Sequence, residues 1–313
     1  MSQFEGVFSV LPTPFTPDGQ IDRESLERVV ELYIGAGVNG LTALGVTSET
    51  AKLSDRERML VLETIMEKVK ERVPVVVGTT AGGLVACIEY SKDAKSAGAC
   101  AVMISPPRMP KLSSETILKH YQSLSDAVDI PIVVQDYPPV SGFTMEPSLL
   151  VRIAREVPEA RTIKLEDPPT PLKISRILQE GKEIPIRIFG GFGGMYLLEE
   201  LMAGAVGSMT GFAYPEILVE IVRLYRAGET ERAADLFYRT VSLMRFEFQE
   251  GIGLAIRKEI LHRRGVISSP GLRPPGTTLD ASTRDALDRI LEWSKRQRVA
   301  EILQVDGKEP LIG

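Results

Sequence analysis

A closed (β/α)8 barrel extended by further helices is the fold this sequence predicts, on three observations. Short β-branched runs alternate with longer segments of helical period, which is the signature of βαβ units and a parallel sheet. Eight such strands fall within about 225 residues, and a closed barrel accommodates eight equivalent parallel strands more readily than an open doubly wound sheet. After the eighth strand the pattern turns wholly helical.

The strands are expected at residues 6–11, 40–44, 73–77, 101–104, 132–135, 161–164, 186–189 and 206–209. Amphipathic segments separate them at 23–36, 55–72, 84–97, 114–127, 147–156, 171–181 and 195–203. Beyond the last strand, helices are expected at 215–227, 230–250, 254–264 and 281–299, with the Pro- and Gly-rich stretch 268–278 as a connector. The predicted organisation is a barrel core over 1–213, then the last barrel helix and a C-terminal helical region over 214–313.

The 313 residues carry 43% hydrophobic and 25% charged side chains, with a mean hydropathy of +0.02. That is a globular composition with material for a large core, which excludes disordered and fibrous classes. A net charge of −5 offers no bulk attraction to nucleic acid or to an anionic membrane. No apolar stretch approaches the ~18 residues of a membrane span, and no export signal opens the chain. The two cysteines, Cys87 and Cys100, form neither a disulfide framework nor a zinc spacing, which fits a reducing cytoplasm. His120 and His262, the two histidines, stand apart from any Cys or acidic cluster, so no metal site and no Ser-His-Asp triad is expected. The chemistry falls to Lys, Tyr, Thr or carboxylates.

In this fold the active site lies at the C-terminal ends of the strands. Lys164 ends the sixth, where a barrel lysine points inward. Burial disfavours the ammonium form. A neutral amine attacks a ketone to give a Schiff base, an electron sink for making or breaking a C–C bond. The competing reading is a strand-end lysine that snorkels to solvent or pairs with Glu166 or Asp167. After strand two, Gly45-Val46-Thr47-Ser48-Glu49-Thr50 offers adjacent hydroxyls and N–H groups to a small carboxylate, or forms a hydrogen-bonded turn before a helix starting near Ser54. Tyr137 is either a proton shuttle or an aromatic ring wedged by Pro138 and Pro139. Arg108 either pairs with a distal substrate carboxylate or lies on the surface. The run from Gly190 to Gly194, Gly191 included, does not fit G-x-G-x-x-G and reads as close backbone approach at the barrel mouth.

Taken in order, several segments resemble the dihydrodipicolinate synthase and N-acetylneuraminate lyase family of class I aldolases, over nearly the whole chain. They are Val10-Leu11-Pro12-Thr13-Pro14-Phe15, Asp18-Gly19-Gln20-Ile21-Asp22, the Gly45 to Thr50 loop in place of G-T-T-G-E, Leu53 to Glu57 as L-[ST]-x-x-E, the Pro138 to Gly142 turn, and Ile163-Lys164. The resemblance implies a homo-oligomer, tetramer or dimer, with no cofactor. It implies Lys164 as the imine-forming residue toward pyruvate or a related 2-oxo acid, with Thr47 and Ser48 holding its carboxylate.

The sequence also departs from the pattern. Val46 replaces the first of two threonines, Val140 replaces an arginine, and Pro106, Pro107 and Arg108 stand where a tyrosine pair is typical. Gln135 occupies the position of the catalytic tyrosine, with Tyr137 two residues later. The two would share a strand face, about 6–7 Å apart along the axis. These departures argue against dihydrodipicolinate synthesis. They leave an aldol lyase first, a 2-keto-3-deoxy sugar acid dehydratase using the same imine second, and a catalytically impaired 2-oxo acid-binding barrel third. Glu49, Glu166 and Asp167 read as helix-cap or surface carboxylates that could assist the second.

Overall fold

The computed structural model describes residues 4–297. Eight parallel strands close on themselves: β1 (Gly6–Val10), β2 (Gly40–Ala43), β3 (Val75–Gly78), β4 (Ala101–Ile104), β5 (Ile132–Asp136), β6 (Thr162–Leu165), β7 (Arg187–Gly190) and β8 (Gly207–Thr210), each paired to the next and β8 back to β1. The helices after β1 to β4 are α1 (Arg23–Gly35), α2 (Asp55–Val69), α3 (Leu84–Ser96) and α4 (Ser114–Val128). A single turn, α5 (Pro138–Ser141), and α6 (Pro147–Glu156) follow β5. Next come α7 (Thr170–Glu180), α8 (Leu197–Met202) and α9 (Pro215–Arg226) after β6, β7 and β8, and then α10 (Thr230–Glu247), α11 (Gly253–Arg263) and α12 (Ala281–Arg296).

The predicted elements are all present, displaced at their ends by a few residues. β3 begins after Pro74, which has no N–H to give to the ladder. The helix expected to reach residue 72 stops at Val69, because Lys70 and Glu71 turn left-handed at φ 48° and 60°. α2 opens at Ser54, whose hydroxyl accepts from Glu57 N while the Glu57 carboxylate accepts from Ser54 N, a reciprocal cap. The last two residues expected in the final helix, 298 and 299, lie outside the described residues.

Strands covered by helices on one side and filled on the other are apolar on both faces. Phe8, Val76, Ala101, Met103, Val133, Phe189 and Met209 fill the barrel interior, and a larger apolar layer lies between strands and helices. The Phe8 ring meets Phe189 edge to face, 5.3 Å between centroids. It occupies the space of an absent side chain at Gly40, where a Cβ would come within 2.3 Å of the ring. This plug closes the lower barrel, so inward-facing polar residues collect above it, at the C-terminal ends of the strands. The helices after β8 do not stand apart. α9 packs on β1, and α10 packs on α9 and on the short turn Phe192–Gly194 that follows β7.

Candidate active site

Gln135, Lys164 and Phe189 are lateral neighbours across β5, β6 and β7, so they share the inward face with the aromatic plug. Lys164 is 5% exposed, and its Nζ lies 3.1 Å from Glu166 Oε2. The same oxygen accepts from Gln135 Nε2 at 2.8 Å, and Gln135 Oε1 accepts from Ser105 Oγ at 3.1 Å. These two bonds fix which way the Gln135 amide faces. Glu166 is two residues beyond Lys164 and shares its face by the two-residue period of an extended chain. Its carboxylate fits because residue 191 is glycine: a Cβ there would come within 2.3 Å of Glu166 Cγ.

Lys164, Glu166, Gln135 and Tyr137 line one cavity with Val10, Val46, Thr47, Thr210, Gly211 and Phe248. The cavity is small, about 370 Å³ with the open space at its mouth counted. Thr47 Oγ1 is buried and has no hydrogen-bond partner among the described residues. An unused buried hydroxyl costs stability unless a ligand satisfies it. Burial, and then the nearby Glu166 carboxylate, raise the Tyr137 phenol above its ordinary value, so it is a neutral proton donor near pH 7. Its ring meets Phe192 edge to face, and Phe192 meets Phe248 in the same way.

The loop after β2 is anchored from two sides. Toward β1, Ser48 Oγ donates to Leu11 O and accepts from Gly45 N, while Thr13 Oγ1 donates to Ser48 O. Toward the C-terminal helices, Glu49 sits left-handed at φ 56° with its carboxylate buried. Glu49 Oε1 takes Lys258 Nζ at 2.5 Å; Oε2 takes Lys52 Nζ at 2.8 Å and Arg273 N at 3.1 Å. Lys258 and Arg273 each lie 4.5 Å from the centre of the Phe15 ring. Burial pulls the Lys258 ammonium down to about 8, against the opposing pull of Glu49.

The structure therefore brings together Lys164, Gln135, Tyr137 and Thr47. It does not bring Arg108 to them: that side chain is exposed, near Gly142 and outside the residues lining the cavity. The Ser48 hydroxyl is spent on the backbone just beyond β1 and on that of its own loop, so it has no donor left for a carboxylate. Gly191 makes room for Glu166 and is not among the residues lining the cavity. Glu166, expected either as a cap or surface group or as a partner for Lys164, is 5% exposed and pairs with that lysine, at the edge of the cavity rather than in solvent. Asp167 and Glu49, its companions in that reading, are tied to Lys173 and to Lys258 instead. Phe248, Thr210, Gly211 and Val10 were not anticipated. Among the described residues no group of three or more His, Cys, Asp or Glu is placed to hold a metal ion, and no helix is long and apolar enough to cross a membrane.

The sequence pattern of the dihydrodipicolinate synthetase family matches residues 3–294. The L-2-keto-3-deoxyarabonate dehydratase of Azospirillum brasilense is 34% identical over 288 residues, 90% of this chain and 92% of that protein. The 4-hydroxy-tetrahydrodipicolinate synthase of Methanosphaerula palustris is 31% identical over 291 residues, 92% of this chain and 98% of that protein. Among solved structures, a dihydrodipicolinate synthase from Rhodopseudomonas palustris has a TM-score of 0.88 at 35% identity, covering 93% of this chain and 98% of its own. The chloride-inhibited dihydrodipicolinate synthase from Acinetobacter baumannii, solved with pyruvate, has a TM-score of 0.85 at 27% identity, covering 93% and 98%.

Proposed function

The chain belongs to the dihydrodipicolinate synthetase family, and we propose that within it the protein is a Schiff-base lyase acting on a 2-keto-3-deoxy sugar acid by elimination of water. The observation that carries this choice is the Glu166 carboxylate, 3.1 Å from Lys164 Nζ and held by Gln135, in a cavity with glutamine at the family's tyrosine position. A relative named for such a dehydration matches over 90% of this chain, which supports the same choice.

In this reading the substrate carboxylate takes the unused Thr47 hydroxyl, and Glu166 relieves Lys164 of its extra proton. The amine adds to the C2 ketone, and the resulting C2 hydroxyl leaves as water with the proton Glu166 took, giving a protonated imine that acidifies the C3 hydrogens and restoring the Glu166 carboxylate. Glu166 removes one of them to form the enamine. The enamine electrons expel the C4 hydroxyl, which departs as water with a proton from Tyr137 or Glu166. Hydrolysis then frees Lys164 and an oxo acid one water poorer. No organic cofactor or metal enters, because the lysine imine is itself the electron sink.

Aldol cleavage or condensation is the second reading, favoured by Tyr137, whose neutral phenol faces the same cavity and can pass a proton to or from an aldehyde oxygen. Product analysis with 2-keto-3-deoxy sugar acids separates the two. An oxo acid one water lighter, with no fragment, is expected; pyruvate with an aldehyde would replace dehydration by aldol cleavage. Glu166→Gln should lower dehydration by about 10²- to 10⁴-fold, the usual contribution of a positioned acid or base. Tight binding of 2-oxo acids with neither product would favour the impaired, ligand-binding barrel.

We further propose a cytoplasmic homo-oligomer, tetramer or dimer, with a barrel core over 1–213 and the last barrel helix and helical region over 214–313. Exposed Tyr238 on α10 and Trp293 on α12, 62% and 57% accessible, support association. Light scattering of the purified chain tests it, and a monomer at micromolar concentration would refute it.

A further inference from the structure

The sheet ladder ends just where the site begins. Asp136 and Leu165 are the last paired residues of β5 and β6, and the Glu166 N to Asp136 O bond, 2.8 Å, is the final backbone tie between them. Tyr137 and Glu166 lie at this end. Gln135 and Tyr137 face the cavity, and Asp136 between them is fully buried on the opposite face. Along the neighbouring chain Lys164 and Glu166 line the cavity, and Asp167 turns away to meet Lys173. From α7, Lys173 reaches both acids: its Nζ is 2.6 Å from Asp136 Oδ2 and 2.7 Å from Asp167 Oδ2.

We propose that Lys173 is a positioning residue, fastening the ends of β5 and β6 from behind so that Gln135 and Tyr137 are held opposite Lys164 and Glu166. It does the work of the missing ladder rungs with two charge-assisted hydrogen bonds. The Lys173 side chain is 9% exposed, so salt screens these bonds weakly. Lys173 is not among the residues lining the cavity, and it acts through the two aspartates. The assignment rests on the reading of Lys164 as the imine-forming group, and what it adds is that proton transfer, more than imine formation, depends on a lysine outside the cavity. Attack by Lys164 needs a bound ketone and a proton acceptor, a part that water can take when Glu166 is displaced, whereas the C3 proton must meet Glu166 or Tyr137 itself at hydrogen-bond range. A misplacement of about 1 Å there costs on the order of a hundredfold.

The test uses pyruvate as the probe with two readouts. One is borohydride trapping at Lys164 followed by peptide mapping. The other is exchange of the pyruvate C3 protons for deuterium, followed by NMR. Lys173→Met keeps the length of the side chain and removes its charge. In it, trapping is expected within about threefold of wild type while exchange falls by about 10- to 100-fold. Should that variant not fold with Asp136 left unpaired, Lys173→Met combined with Asp136→Asn carries the same expectation. Loss of both readouts in proportion would show a merely structural role, and unchanged exchange would also overturn the assignment. If wild type traps and exchanges but the variant matches it, only Lys173 loses its role. If wild type forms no adduct with pyruvate or with any other 2-oxo acid, the reading of Lys164 fails and this inference falls with it.

Discussion

Three lysines are buried among the described residues, Lys164, Lys173 and Lys258, and the two that sit beside a glutamate, Lys164 and Lys258, differ in what surrounds them. Lys258 is fully buried with its ammonium over Phe15, and it donates to Glu49 Oε1 at 2.5 Å and to Gly271 O at 3.0 Å. Lys164 faces an open cavity and has Glu166 as its near charged neighbour, on an oxygen that Gln135 also uses. Burial pulls Lys258 down to about 8, so a lowered lysine value alone would single out the wrong residue. Lys258 has no route to a substrate, and its proton donors are committed to tying α11 and the segment around Arg273 to the strand-two loop. What distinguishes the proposed nucleophile from Lys258 is access and an unfinished set of partners. The same contrast separates Thr47 from Ser48: adjacent hydroxyls, one without a partner and one spent on the backbone.

Exchanging the fates of these residues tests the contrast, beginning with the largest effect. Lys164→Ala is expected to lower turnover by about 10⁴-fold or more, as loss of a covalent nucleophile does, with the fold intact by circular dichroism. Lys258→Met should leave imine formation in place and lower stability by about 3 kcal/mol, measured by urea unfolding. That is the lower end for a broken buried pair, because Lys52 still faces Glu49. If Lys258→Met instead abolished trapping in folded protein, the division of labour would be wrong.

A pH series sharpens the same pair. The folded-state value of Lys258, about 8, lies below the ordinary 10.5, so between those values the unfolded chain binds more protons. The cost of burying the charge is fully present below about pH 8 and is relieved as pH rises toward 10.5. Wild type should therefore gain stability over Lys258→Met across that window; a constant difference would contradict it. The smallest change expected is Thr47→Val. Loss of a hydrogen bond to a charged carboxylate is worth about 1.5–3 kcal/mol, so KM should rise roughly tenfold to a hundredfold with stability unchanged. Ser48→Ala should behave the other way, losing stability first.

Much of this architecture is legible in the sequence, because parallel strands buried on both faces must be short and apolar and because the intervening helices carry their own periodicity and caps. Lys164 is visible for a related reason: a lysine ending such a run has an apolar barrel beneath it. The two-residue period placed Gln135 and Tyr137 on one face, and both line the cavity. Applied to Lys164, the same period decides between its two candidate partners in favour of Glu166, on the same face, over Asp167. The Gly190 to Gly194 run marked a close approach, but only the fold reveals that the approaching group is Glu166. The use of the Ser48 hydroxyl is not legible, because its partner, Leu11 O, lies 37 residues away, just beyond β1. Phe248 carries no local signal, since its place in the cavity depends on how α10 packs across the turn after β7. Arg108 shows the limit of residue type: a positive charge near the mouth in sequence lies outside the cavity in space.

The central claim is that Lys164, among the buried lysines, is the one that bonds to substrate. Incubation of the intact protein with a panel of 2-oxo acids, reduction with borohydride and peptide mass mapping tests it directly. The account predicts a single irreversible adduct on Lys164 and none on Lys258 or Lys173. An adduct on either of those lysines, or no adduct from any acid on folded protein, would contradict it.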